Sequence, residues 1–115
     1  MKWLVLVVIV VLVVVLARMA KRTGPHVSWE QAQQDLAAGK AVVLWKPGCV
    51  FCERLLVQLR KNERVTWVNV WKDQAANEAV RAVNDGNELT PTVFVGDQVL
   101  RNPGSGQVLE ALGAR

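Results

Sequence analysis

Ala41-Val42-Val43-Leu44-Trp45-Lys46-Pro47-Gly48-Cys49-Val50-Phe51-Cys52 reads as a strand, a break and the start of a helix. The first five residues are an unbroken, Val-rich apolar run, the pattern of a buried strand. Lys46-Pro47-Gly48 ends it. Cys52, Leu55, Leu56 and Leu59 then recur at helical spacing, so a helix is expected from Cys49 or Val50 to Asn62. The chain's two cysteines thus fall at the C-terminal end of a strand and the N-terminus of a helix, where open α/β sheets hold their sites. Unpaired N–H groups and the helix dipole favour a thiolate on Cys49. Lys46, three residues earlier, adds a positive charge. Together they are expected to bring the Cys49 pKa into the range of about 3.5–7.5 of activated cysteines. Cys52 faces the core one turn on, as the thiol that resolves a mixed disulfide formed on Cys49.

Outward from this segment, Ser28 is expected to cap a helix, with Gln31 completing a capping box, Trp29, Ala32 and Leu36 on one face, and Gly39 as the stop. Val65 to Trp71 reads as a second strand. Asp73 caps a helix with Ala76, Ala79, Val80 and Val83 inward, and Asn84-Asp85-Gly86-Asn87 is a turn. Thr92–Val95 and Gln98–Arg101 form a hairpin around Gly96-Asp97. Ser105 starts a last helix through Val108, Leu109 and Leu112. The order α–β–α–β–α–β–β–α combines a parallel βαβ unit with an antiparallel hairpin. That predicts an α/β fold, a mixed four-stranded sheet flanked by helices on both faces, the thioredoxin-like layout. In that layout Pro91 is a cis-proline facing the cysteines, which leaves the Thr90 backbone free to pair with an extended thiol substrate. A trans proline opening an edge strand is the other reading.

The N-terminal segment is of a different kind. Trp3 to Ala17 is an unbroken apolar run of fifteen residues with no polar face. As a helix it spans roughly 22 Å at about 1.5 Å per residue, against a hydrocarbon core of about 30 Å. Ala20 can extend it, and Lys2 and Arg18 can snorkel. Residues 1–22 are read as a single transmembrane anchor with a basic flank, 23–27 as a linker and 28–115 as the folded domain. Arg18, Lys21 and Arg22 outweigh Lys2, which places the domain in the cytoplasm. The other reading is a signal peptide cleaved after Val15-Leu16-Ala17, with an extracytoplasmic or secreted domain. Those four basic residues equal the whole net charge of +4. Residues 23–115 are neutral, so no nucleic-acid surface is expected.

Alternative uses of a CxxC fit less well. A structural zinc site needs four ligands, and this chain adds only His26, expected to be solvated in the linker. Glu53 stands where haem attachment requires His. A purely structural disulfide remains open for an exported domain. Among the tryptophans, Trp3 suits a membrane interface. Trp29, Trp67 and Trp71 are expected in the core. Trp45 either lines the site or packs, and Phe51 is expected to be exposed between the cysteines.

Lys46-Pro47-Gly48-Cys49-Val50-Phe51-Cys52 resembles the glutaredoxin active site. Val83-Asn84-Asp85-Gly86-Asn87-Glu88-Leu89-Thr90-Pro91-Thr92-Val93 and Asn102-Pro103-Gly104-Ser105 resemble the mycoredoxin branch of that family, over residues 40–112 in all. The resemblance implies reduction of mixed disulfides between proteins and a low-molecular-weight thiol, mycothiol or glutathione, which is a co-substrate and not a tightly bound cofactor. It implies Cys49 as nucleophile and Cys52 as second thiol, Lys46 as the group receiving a substrate carboxylate, and Thr90 and Pro91 as the substrate cradle. Asn102, Pro103, Gly104 and Ser105 take the place of an anion-binding turn, where a helix N-terminus would receive a carboxylate or sugar oxygen. Val50, Leu89 and Pro103 depart from the family pattern, and Pro103-Gly104 in place of Gly-Gly weighs against glutathione.

The leading expectation is therefore a monomeric, membrane-tethered reductase acting on disulfide-containing or S-thiolated proteins. An exported disulfide oxidase or isomerase keeps the fold and reverses the direction. An anchored, non-catalytic thioredoxin-like binding module is the third reading.

Overall fold

The computed structural model describes residues 1–21 and 24–113. The elements are α1 (Lys2–Lys21), α2 (Trp29–Ala37), β1 (Ala41–Trp45), α3 (Val50–Leu59), β2 (Val65–Asn69), α4 (Gln74–Ala82), β3 (Thr92–Val95), β4 (Gln98–Arg101) and α5 (Ser105–Gly113). From α2 onward this is the expected order.

Period-two alternation in β1 divides the core. Val42 and Leu44 point to one face, with Ala32, Val68, Val70, Ala76 and Val80 from α2, α4 and the β2 segment. Ala41, Val43 and Trp45 point to the other, with Cys52, Leu55 and Leu59 of α3 and Val108, Ala111 and Leu112 of α5. The strand order is β2-β1-β3-β4. β1 runs parallel to β2, with Ala41 opposite Val65, and antiparallel to β3, with Val43 opposite Val93. β3 and β4 form the expected hairpin, Val95 opposite Gln98. The result is a thioredoxin-like α/β domain with helices on both faces of a mixed sheet.

Several ends differ from expectation. β2 stops at Asn69, because the Trp71 N–H turns back onto Asn69 Oδ1 at 2.9 Å. Trp71 is consequently 60% exposed and outside the core, whereas Trp67 is buried. α3 closes at Leu59, where tight turns take over: the Asn62 N–H donates to the Leu59 carbonyl at 3.0 Å. Ser28 does cap α2, its Oγ accepting from the Gln31 N–H at 3.1 Å. The Gln31 side chain does not complete a capping box. It donates to Asp35 Oδ1 at 3.0 Å instead.

The stretch read as a linker is docked from residue 24 onward. β2 is an edge strand, and residues 26–27 cover that edge. The Val27 N–H donates to the Trp67 carbonyl at 3.0 Å, and the Asn69 N–H donates to His26 Nδ1 at 2.9 Å. His26 is therefore not solvated as expected. Burial, with Lys72 nearby, lowers its pKa against the opposing pull of Asp73. The Trp45 indole N–H donates to the Pro25 carbonyl at 3.0 Å. Gly24 lies against the same ring, where an added Cβ would come within 2.7 Å.

Among the described residues no helix is long and apolar enough to cross a membrane. The uninterrupted apolar run of α1 ends at Ala17, and charged positions follow at 18 and 21. Arg22, Thr23, Ala114 and Arg115, at the edges of the expected anchor, linker and domain, lie outside the described residues.

Asp73 fixes two helix starts at once. Its Oδ1 accepts from the Ala76 N–H at 3.2 Å as the N-cap of α4, and its Oδ2 accepts from the Trp29 N–H at 2.8 Å at the start of α2. The bond from Trp29 is the main cause of its lowered pKa. Burial opposes that shift, while the Ala76 and Ala75 amides and His26 add to it. A depressed folded pKa means that this stabilisation is present above the ordinary Asp value and is lost as pH falls through the folded one. Asp73→Ala is expected to cost about 1–3 kcal/mol in chemical denaturation, the scale of one cap plus one orphaned N–H. The variant should also lose less stability than wild type on acidification below about pH 4. An unchanged denaturation midpoint would show that neither cap matters.

Candidate active site

β1 delivers Lys46 at its C-terminal end, and Gly48, at a φ of 77° that favours glycine, turns the chain into α3. Cys49 is the N-cap of α3, in extended conformation. Its Sγ accepts from the Cys52 N–H at 3.1 Å. The two cysteines are joined in a disulfide with their Cα atoms 5.1 Å apart. Burial separates them, since Cys52 is wholly inaccessible and Cys49 is half-buried. An incoming thiolate therefore meets the Cys49 sulfur.

The Thr90–Pro91 bond is cis, and the Thr90 carbonyl oxygen lies 3.5 Å from Cys49 Sγ. The polar loop before it is pinned from within. Asn84 Nδ2 donates to the Val80 carbonyl at 2.7 Å and to Thr92 Oγ1 at 3.2 Å, and Thr92 Oγ1 donates to the Leu89 carbonyl at 2.7 Å. The Arg101 guanidinium closes the loop onto the Val83 carbonyl at 2.7 and 3.1 Å. Thr90 Oγ1 is buried with no partner among the described residues.

The remaining expected residues fall into two places. Phe51, Asn102, Pro103 and Gly104 come together with Arg54, Leu55 and Gln58 around a hollow of about 190 Å³. Phe51 is 53% exposed, and the Arg54 guanidinium lies 5.9 Å from its ring centroid. Asn102 adopts a positive φ of 50°, and its N–H donates to the Pro91 carbonyl at 2.8 Å, which ties this turn to the cis-proline. The Gly104 N–H donates to Gln107 Oε1 at 2.8 Å, so that amide of the expected anion-binding turn is already used. Ser105 is the first residue of α5 and does not line the hollow.

Lys46 stands apart from that group. Its Nζ is 3.3 Å from Glu88 Oε1. The positive charge expected beside Cys49 is thus present at Lys46 and is met by the Glu88 carboxylate. Glu88 also accepts from the Trp71 indole N–H at 3.0 Å and from Asn77 Nδ2, and Arg81 lies 3.6 Å from its Oε2. Burial pushes its pKa up, but the bonds from Asn77, Trp71 and Lys46 outweigh it and hold the carboxyl below its ordinary value. Glu88 was not singled out in the sequence. Its partners come from separate elements, and the one available signal was a lysine beside the cysteines in need of a counter-charge.

A wider hollow of about 770 Å³ lies between residue 24 and α3, lined by Trp45, Pro47, Gly48, Glu53 and Leu56 among others. Neither hollow is lined by a cysteine; the smaller one holds Phe51, which lies between the two cysteines, and Asn102, which is bonded to the cis-proline. Among the described residues no group of three or more His, Cys, Asp or Glu could hold a metal ion. The Cys52 amide and the α3 N-terminus favour a Cys49 thiolate directly. In the reduced chain, alkylation of Cys49 is expected to follow a pKa below the ordinary value of about 8.5, with Cys52 protected. Mass-mapped iodoacetamide rates against pH measure both, and equal labelling of the two would contradict the asymmetry.

A model of the glutaredoxin family matches residues 41–100, just over half of the chain. Among solved structures the chain is similar to the holo form of glutaredoxin C1 from Populus tremula x tremuloides. The identity is 20% and the TM-score 0.47, over 75% of this chain and 86% of that one. A search of the curated proteins finds no match.

Proposed function

The chain belongs to the glutaredoxin family, and on that premise we propose that it is a thiol–disulfide oxidoreductase that reduces mixed disulfides between proteins and a low-molecular-weight thiol. The observation that carries this reading is the asymmetry of the pair. One sulfur is accessible at a helix N-terminus beside the Thr90 carbonyl, and the other is sealed in the core.

The reaction balances as two exchanges. The Cys49 thiolate attacks the small thiol's sulfur in a protein mixed disulfide, and the protein thiolate leaves and takes up a proton. A second small thiol, as thiolate, then attacks the small-thiol sulfur bonded to Cys49. That releases the Cys49 thiolate and leaves the two small thiols joined as a disulfide, which carries away the oxidising equivalents. Thr90 would hold the extended substrate through its backbone. Mycothiol, as in the mycoredoxin branch, or glutathione fills the co-substrate role, and no tightly bound cofactor is required. The closed Cys49–Cys52 disulfide favours a second reading, in which Cys52 attacks Cys49 Sγ and both cysteines are needed to reduce a protein disulfide.

The proposal extends to location. Side chains from Trp3 to Leu16 are apolar and exposed along α1, and lipid is the environment that suits such a helix. A single-pass anchor followed by Arg18, Lys21 and Arg22 would keep the domain cytoplasmic, near membrane-protein substrates, as a monomer.

Turnover by the full chain in detergent is to be compared on matched peptide mixed disulfides of mycothiol and glutathione, with Cys52→Ser alongside. Retained turnover in the variant is expected. Loss of all turnover in Cys52→Ser, with wild type reducing protein disulfides, would replace the monothiol mechanism with the dithiol one.

A further inference from the structure

A thiol that docks on Cys49 and carries carboxylates needs a cation or free amides beside the disulfide. Lys46 is the cation that β1 places there, and Glu88 already holds it. Both Glu88 oxygens are engaged, Oε1 by Lys46 and the Trp71 indole, Oε2 by Asn77 and Arg81. The side chain is only 18% exposed. Handing Lys46 to a substrate carboxylate would break one ion pair for each one formed. It would also leave a partly buried carboxylate with less compensation, which is costly. At the other side of the cysteines, the Gly104 N–H at the start of α5 is closed by Gln107. The hollow beside Phe51 keeps amide-bearing Gln58 and Asn102, and Arg54, whose guanidinium lies 5.9 Å from the Phe51 ring centroid, is its one charged side chain among the described lining residues.

Resting on the mixed-disulfide reading above, we infer that Glu88 is a specificity-determining residue, because its internal carboxylate occupies Lys46 and thereby removes the preference that a free Lys46 would give to a carboxylate-bearing small thiol. Glu88 touches neither sulfur and acts through Lys46. Removing its charge should open Lys46 to an anion and shift preference toward carboxylate-bearing thiols, and any change in Cys49 reactivity is common to the acid and the ester and cancels in their ratio.

The test needs one thiol in two charge states. The full chain is assayed on a peptide mixed disulfide of glutathione and on the same mixed disulfide with both glutathione carboxylates esterified. For wild type the acid-to-ester ratio of kcat/KM is expected near one. In Glu88→Gln the ratio is expected to rise about fivefold, equivalent to about 1 kcal/mol. In Lys46→Met/Glu88→Gln that rise should disappear. A wild-type chain that already prefers the acid about fivefold, through Lys46 or Arg54, overturns the inference and needs no variant to do so. An unchanged ratio in Glu88→Gln overturns it as well. Turnover by wild type of neither of these mixed disulfides nor of the matched mycothiol mixed disulfide, with protein disulfides still reduced, would remove the mixed-disulfide reading and the inference together. A failure of the inference alone therefore looks different from a failure of its premise.

Discussion

Strand β1 is paired on both edges and buried on both faces, and the placement of the cysteines follows from that constraint. A strand in this position must be apolar at every residue, as Ala41 to Trp45 are. It must also end abruptly, because the next residue leaves the sheet. Pro47 and Gly48 make that exit. α3 can return only over the face that Val43 and Trp45 present, since Cys52, Leu55 and Leu59 need that surface. Cys52 is therefore drawn into the core while Cys49, at the cap, stays at its rim. The chemical asymmetry of the pair is a packing result before it is an electrostatic one.

Two carboxylates carry long-range order that the apolar layers do not. Asp73 ties the start of α4 to the start of α2 on one side of the sheet. Glu88 ties the end of β1, the segment after β2, and α4 to the loop that ends in Thr90. Because an unpaired polar group in such a place costs more than a paired one contributes, each carboxylate specifies one arrangement. The Glu88 set restrains the Thr90 loop at its outer side, while Asn84, Thr92 and Arg101 restrain it at the inner side. The Thr90 carbonyl can then sit at a fixed distance from Cys49.

What was legible in the sequence was what depends on local period and spacing. β1, the β3–β4 hairpin, the Ser28 and Asp73 caps and the CxxC at a helix start all lie within short windows, and the structure places them where the pattern did. Tertiary proximity was not legible. Trp71 continues the apolar run of β2, yet Asn69 bends the chain and turns the indole out to Glu88. His26 reads as a linker residue, but β2 is an edge strand whose amides need acceptors, and the residues just before α2 lie alongside it. Lys46 looks like a free charge until the loop brings Glu88 to it. Each miss involves a polar group whose partner lies seventeen or more residues away in the chain for at least one contact.

Docking of the segment before α2 also bears on what the N-terminal helix can do. Gly24 and Pro25 rest against Trp45, at the end of β1 that leads to the cysteines. From Lys21 to Gly24 the chain spans three steps, no more than about 11 Å at about 3.8 Å between consecutive Cα atoms. Whatever holds α1 is thus connected to the cysteine end of the sheet by a short lead, and the attachment point on the domain is set by hydrogen bonds rather than by a loose chain. A flexible linker raises local concentration and leaves orientation free. A docked one constrains both. On the proposed anchoring, the Trp45 end of the domain stays within the reach of that lead from the end of α1.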